Sequence, residues 1–452
     1  MAEASLPQKL FVTACAVTRS TNLAARWTGA APFLPALFVL RYANMGGLDH
    51  TLFAGQIRRA TSFRDDRWCN YWNRIADTHA RRATALLRGL AGTDSADVPD
   101  LTDPSAATAA EHRERLSAWI APAAELFADH GPQPDTRALA ALVDEHTPTG
   151  DRERITKAFN AIDAWVKAIT YYQVSAFPGH DPHRMQAYSC SRHLFDALTG
   201  ALVPTLGLAV EHVDTLVAGG DTVRGYLVVP PGPGPHPVVL TTNGLEGTVQ
   251  ELAIPQLRYR DSGIAMFLME MPGSYAYSDP MNPESEAIYH RVIEHLVADE
   301  RLDADRIAMV GVSFGGYRTA RLAATNHQLA CAIACGAPTH RSFHGGALGT
   351  PQIILHALAK TVGAAHPIDL MRKLRALSIR DLYRDITIPL LVINGDHDTL
   401  MSTQDSSDLA HAAAHATLQL YPDDDHCAMG HYRQWLDYSQ QWLLEHFAGT
   451  TN

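Results

Sequence analysis

Three widely separated residues of this chain have the types and surroundings needed to build an acyl-transferring nucleophile. Ser313 lies in Gly311-Val312-Ser313-Phe314-Gly315-Gly316, between the apolar run Arg306-Ile307-Ala308-Met309-Val310 and the helix-forming stretch Tyr317 to Ala324. A Gly-x-Ser-x-Gly between strand and helix forces a sharp turn that lifts the hydroxyl clear of the backbone and aims a helix N-terminus at it. The competing reading is a glycine turn with an incidental serine, which a five-residue match alone does not exclude. A serine hydroxyl is a weak nucleophile at neutral pH and needs a base, an orienting acid and donors for the oxyanion.

In doubly wound hydrolases these groups follow in the chain order Ser, Asp or Glu, His, with the acid after a late strand and the histidine after the last. The run Leu390 to Ile393 leads into Asn394-Gly395-Asp396-His397-Asp398, and Leu418 to Tyr421 leads into Pro422-Asp423-Asp424-Asp425-His426. Asp398 is preferred to Asp396 as the acid because Gly395-x-x-Asp matches the usual loop, which leaves Asp396 to brace the turn. His426, directly after the strand, is preferred to His431, which begins the next helix. The expected oxyanion donors are the backbone N–H groups of Phe314 and of Leu245, the latter in Asn243-Gly244-Leu245-Glu246-Gly247. Three elements in order, each after a strand, are hard to obtain by chance.

The elements that position these residues follow from the hydrophobic pattern. Before residue 205 the chain reads as helical. Trp68, Tyr71 and Trp72 form an aromatic stripe, and Ile155, Phe159, Ile162, Val166 and Ile169 recur at three- and four-residue spacing as an amphipathic face. Both are read as packing faces. Residues 92–110 and the run His130 to Pro134 are read as a loop and a break. After residue 205, strands alternate with helices. The strands are placed at 223–229, 238–242, 265–269, 306–310, 329–334, 389–393 and 417–420, and helices at 249–260 and 432–447. This alternation predicts an α/β fold with a mostly parallel, doubly wound sheet. The domain division expected is a helical N-terminal cap over 1–204 and a catalytic domain over 205–452, with a helical insertion at 336–385.

Size and charge bound the function. A chain of 452 residues suggests two domains or one elaborated core, and 46% hydrophobic with 19% charged residues describes a soluble globular protein. The net charge of −11 and the lack of a Lys/Arg cluster argue against a nucleic-acid partner. Six scattered cysteines form no short-spaced framework, so reduced thiols and a cytoplasmic location are expected. The apolar stretches 10–17 and 31–40 are too short or too interrupted by proline for a membrane span, and both are expected to be buried.

Asn243 to Gly247 with Gln250-Glu251, then Met269-Glu270-Met271-Pro272-Gly273-Ser274, then Arg306 to Gly316, resemble the FrsA-type esterase-like family of the α/β-hydrolase superfamily. That family is similar to the fungal hydrolase that shortens pigment polyketides and to 2,6-dihydroxypseudooxynicotine hydrolase. The resemblance covers about residues 205–447 and extends more loosely to the helical N-terminal region, which in such relatives packs as a cap. Asn243 departs from the histidine of many superfamily members, and Glu246 from the aspartate of close relatives. The resemblance implies hydrolysis of an ester, or of the carbon–carbon bond of a β-dicarbonyl, in a bulky ketide or aromatic substrate. Acyl transfer or cyclisation is the alternative outcome of the same acyl-enzyme, and a non-catalytic binding protein retaining the fold is the alternative from another class.

Glu246, Tyr275 and His344 are carried as candidate substrate contacts, Tyr275 and Tyr277 also reading as packing residues. His411 and His415, four apart on an expected helix, lack a third ligand and are read as an exposed pair. No nucleotide fingerprint is present, so neither organic cofactor nor metal is implied. The expected partners are a small-molecule substrate and at most a second copy of the chain.

Overall fold

The computed structural model describes residues 5–35, 37–92, 98–103, 110–133, 136–146, 151–218, 220–345 and 348–449. Ten strands are found among them: β1 (Ala209–Val213), β2 (Val217–Ala218), β3 (Asp221–Thr222), β4 (Gly225–Val229), β5 (His236–Thr242), β6 (Ala265–Met269), β7 (Leu302–Val312), β8 (Cys331–Cys335), β9 (Leu390–Gly395) and β10 (Ala416–Tyr421). Eight of them form one sheet in the order β1-β4-β6-β5-β7-β8-β9-β10. Pairing is parallel from β6 through β10 and antiparallel at β1–β4 and β4–β6. The central strands are apolar on both faces, since helices cover both sides. One face packs on the closing helix Tyr432–Gly449 through Trp435, Trp442 and Phe447, and the other on Ala287–Val297 through Ile288, Val292 and Leu296.

The sequence pattern missed β1 and the β2–β3 pair. β1 is short and mostly solvent-facing, with only Val213 buried, so it lacks the apolar run that marks the inner strands. Between β8 and β9 lie the helices Arg341–His344, Gln352–Thr361 and Pro367–Ala376.

Among the described residues, all regular structure up to Thr205 is helical. Its core is aromatic: Trp68 and Trp72 meet edge to face at 5.4 Å on helix Asp65–Ala91, and Trp72 stacks on Tyr171 at 6.1 Å. The helix Arg152–Ala176 is not amphipathic over its full length, as its spacing suggested. From Ala158 to Ala176 nearly every residue is buried, because helices 65–91, 110–130 and 182–205 surround it. Parts of the loop expected at 92–110 and of the break at 130–134 lie outside the described residues.

The N-terminal stretch 10–17 also differs from expectation. It is a surface helix, Leu6–Val17, burying only Val12 and Cys15 while Leu10 and Val17 remain exposed. At 3.6 residues per turn only one narrow face of it meets the molecule. Among the described residues no helix is long and apolar enough to cross a membrane.

Candidate active site

β7 delivers Ser313 at φ +58°, ψ −120°, and the helix Phe314–Thr325 starts at the next residue. A non-glycine residue at positive φ is strained, and the surrounding contacts hold it there. The Ser313 N–H donates to the carbonyl of Cys335 on β8 at 2.7 Å, and its carbonyl accepts from Tyr317 N at 3.1 Å. Gly315 has to be glycine, since a Cβ there would stand 2.4 Å from the Thr242 carbonyl oxygen. The motif thus seats the first helical turn directly on the end of β5.

The two loops after β9 and β10 converge on this serine. His426 Nε2 lies 2.8 Å from Ser313 Oγ, and its Nδ1 lies 2.8 Å from Asp398 Oδ2. The Asp398 side chain is fully shielded from solvent, and that of His426 is 5% exposed. Asp398 Oδ1 accepts from the N–H groups of Leu400 at 2.9 Å and Met401 at 2.7 Å, while Oδ2 also accepts from Asn394 Nδ2 at 2.9 Å. Burial alone would raise its pKa, but the adjacent His426 and these donors hold it below the usual carboxylate value. For His426 burial opposes protonation, yet the Asp398 charge outweighs it and holds the imidazole well above its ordinary value.

The competing residues sit elsewhere. Asp396 is exposed and meets His397 Nδ1 at 2.5 Å. His431 Nδ1 meets Asp424 Oδ2 at 2.8 Å and its ring stacks on Tyr421. Asp424 and Asp425 are buried acceptors for loop amides: Asp425 takes the N–H groups of Thr399 at 2.7 Å and His426 at 2.8 Å, and Asp424 those of Gly430 and His431 at 3.0 Å. Below His426 two thiols exchange contacts with backbone, Cys335 Sγ to the Cys427 carbonyl at 3.6 Å and Cys427 Sγ to the Cys335 carbonyl at 3.8 Å.

The loop after β5 lies against the serine. A Cβ at Gly244 would be 2.6 Å from Ser313 Cβ and 3.1 Å from its Oγ, so this position too admits only glycine. Asn243 Oδ1 accepts the Gly244 N–H at 2.8 Å and fixes the approach. Leu245 follows, partly buried in the cluster that contains Phe314. Phe314 is the first residue of its helix, so its N–H has no intrahelical acceptor.

Glu246, at φ +57°, is buried, with Oε2 accepting from Gly179 N at 2.7 Å. Burial pushes its pKa up to about 7, partly offset by the Gly179 and Tyr275 hydrogen bonds. Tyr275 is buried and stacks on Tyr188 at 4.7 Å. His344 is exposed and bonds the His340 carbonyl of its own short helix at 2.8 Å. His411 is likewise exposed, 2.6 Å from the Ser407 carbonyl, and His415 is exposed.

Three residues beside the site were not anticipated. Asn394 bridges the loops that carry Asp398 and His426. Arg41 donates to both Glu251 oxygens at 2.9 and 3.0 Å and to the Glu246 carbonyl at 2.9 Å. Asn44 donates to the Met429 carbonyl at 2.6 Å. Asn394 had one visible signal, its place at a strand end ahead of Gly395; the other two lie some 200 and 385 residues from their partners, where spacing carries no information.

A family model described as esterase FrsA-like matches residues 152–448. The chain is 28% identical over 206 residues to Esterase FrsA of Escherichia fergusonii, covering 44% of this chain and 49% of that protein. It is 26% identical over 297 residues to 2,6-dihydropseudooxynicotine hydrolase of Paenarthrobacter nicotinovorans, covering 64% and 77%. The chain therefore spans about half the length of the FrsA esterases it matches. The crystal structure of 2,6-dihydroxy-pseudo-oxynicotine hydrolase shares the fold, with a TM-score of 0.57 at 20% identity over 74% of this chain and 96% of that one. The sheet order, the elbow at Ser313 and a family match running from the long buried helix to the closing one lead to one assignment: the chain belongs to the FrsA-like esterase family, on an α/β-hydrolase fold.

Proposed function

We propose that this chain is a serine hydrolase working through an acyl-enzyme, with Ser313 as nucleophile, His426 as general base and Asp398 as its orienting acid. The observation that carries the reading is the unbroken relay from Ser313 Oγ to His426 to Asp398, both links 2.8 Å long. In this reading His426 Nε2 takes the hydroxyl proton as Ser313 attacks the substrate carbonyl. Asp398 keeps Nδ1–H as the donor and stabilises the imidazolium, without itself taking the proton. The N–H groups of Phe314 and Leu245 receive the oxyanion, the first at a helix N-terminus where negative charge is favoured. His426 then returns the proton to the leaving group, and water, deprotonated by the same imidazole, releases the acid.

The substrate proposed is an ester, or a β-dicarbonyl cleaved at its carbon–carbon bond, in a bulky ketide or aromatic molecule. The support is the helical mass of 1–204 and the helices of 336–385, proposed to cap the serine and shape the pocket, together with a relative named for 2,6-dihydropseudooxynicotine. Work in the cytoplasm with reduced cysteines belongs to the same reading; none of the six is in a disulfide.

A fluorophosphonate should label Ser313 stoichiometrically, and absence of labelling in folded protein would sink the proposal. Turnover in heavy-oxygen water then assigns the bond. A labelled carboxylate with loss of an alcohol means ester hydrolysis, loss of a ketone fragment means carbon–carbon cleavage, and an unlabelled ring product means cyclisation.

A further inference from the structure

One short N-terminal helix touches both loops that flank Ser313. Helix Phe38–Gly46 is anchored in the N-terminal core by Phe38 and Tyr42, whose rings pack against each other at 5.0 Å and against Phe53. From one side Arg41 forms a two-pronged ion pair with buried Glu251 and holds the Glu246 carbonyl, one residue beyond Leu245. Asn243 Nδ2 reaches the same Glu251 carboxylate at 3.4 Å, so the pair is tied to both ends of the oxyanion loop. One turn further on, Asn44 holds the Met429 carbonyl, and Met45 is buried in the cluster containing Cys427, Ala428 and Met429, the residues that follow His426. Residues three and four apart lie on neighbouring flanks of a helix, which is how one helix serves two loops.

We propose that helix Phe38–Gly46 is a brace that sets the distance between the oxyanion loop and the base loop, with Arg41 and Asn44 as positioning residues for turnover. The inference rests on the serine-hydrolase reading. It goes beyond it in making the N-terminal region part of the catalytic geometry and not only a cover for substrate. A planar guanidinium held on two carboxylate oxygens and a carbonyl fixes direction as well as distance, which a lysine cannot reproduce. A displacement of about 1 Å at such a site costs about a hundredfold in rate.

The test measures kcat per fluorophosphonate-labelled serine, so that unfolded protein does not enter the rate. Arg41→Met and Asn44→Ala should each lower kcat by about 10- to 100-fold with KM within about threefold, and Arg41→Lys should recover only part of the loss. Because Arg41→Met leaves Glu251 buried and unpaired, the paired variant Arg41→Met/Glu251→Met removes both charges and should fold. It should still show the kcat loss, since the Glu246 carbonyl has lost its donor. Wild-type kcat per labelled serine in the paired variant and in Asn44→Ala would overturn the brace, as would a loss confined to KM or to melting temperature. If wild-type Ser313 takes no label, the hydrolase reading fails first, and the brace with it.

Discussion

Asn394 donates its amide to Asp398 Oδ2, the same oxygen that faces His426 Nδ1. Its own Oδ1 accepts from the N–H groups of Gly395 and Cys427, both at 2.9 Å. A single buried side chain therefore sets the carboxylate and pins the backbone beside the histidine. Asn394→Ala should lower kcat by about tenfold or more and cost about 1–3 kcal/mol of stability, because two buried amides lose their acceptor. Steady-state kinetics and thermal melts check this; an unchanged kcat would remove Asn394 from any role in orienting the acid.

Ser313→Ala should reduce turnover by about three or more orders of magnitude while leaving the melting temperature close to that of the parent. Among the described residues the hydroxyl makes a single hydrogen bond, to His426, so its loss hardly disturbs packing. A purified variant that keeps most of its activity would end the nucleophile assignment.

Asp398→Asn should be far more damaging than Asp396→Asn, by about four orders of magnitude against little change, because only Asp398 faces the imidazole. His426→Ala should abolish turnover and His431→Ala should not. The pH profile gives a second handle. In the proposed mechanism His426 has to be neutral to act as base, and Asp398 holds its pKa above the ordinary 6.5, so kcat/KM should fall as pH drops through a midpoint above that value. In the residual activity of Asp398→Asn the midpoint should move down; a midpoint that stays put would show that another group titrates.

Glu246 predicts a stability change of definite sign. Burial raises its pKa from 4.5 to about 7, so between those values the folded chain holds a proton that the unfolded chain has released. The stability tied to this proton is fully present below 4.5 and is lost as pH rises through about 7, a change of order 3 kcal/mol at most. Glu246→Gln keeps an acceptor for Gly179 and removes the charge. Its melting temperature should therefore gain on wild type from pH 5 to pH 8, and parallel curves would show that Glu246 does not titrate there.

Much of the centre was legible because its determinants are local. Strand, small-residue turn and helix are contiguous around Ser313, and the loops carrying Asp398 and His426 each follow a strand readable from its apolar run. What could not be read depends on distant pairing. Arg41 and Asn44 owe their place to a helix packed against loops hundreds of residues away, and the Gly179 amide on Glu246 also comes from distant chain. The buried roles of Asp424 and Asp425 could not be read either, because sequence does not reveal the amides that they accept. The burial of Ala158 to Ala176 was hidden as well, because spacing within one segment does not show that helices 65–91, 110–130 and 182–205 cover its flanks.

The thiol contacts beneath His426 give the molecule an internal clock. Cys335 and Cys427 are essentially without solvent access, and burial raises the Cys427 pKa, so the folded protein shields both sulfurs from reagents and keeps Cys427 an unreactive thiol. A thiol-specific dye can reach them only when the backbone around His426 parts. The rate at which they are modified in the absence of denaturant thus counts openings of the segment that carries the histidine, with no substrate or partner added.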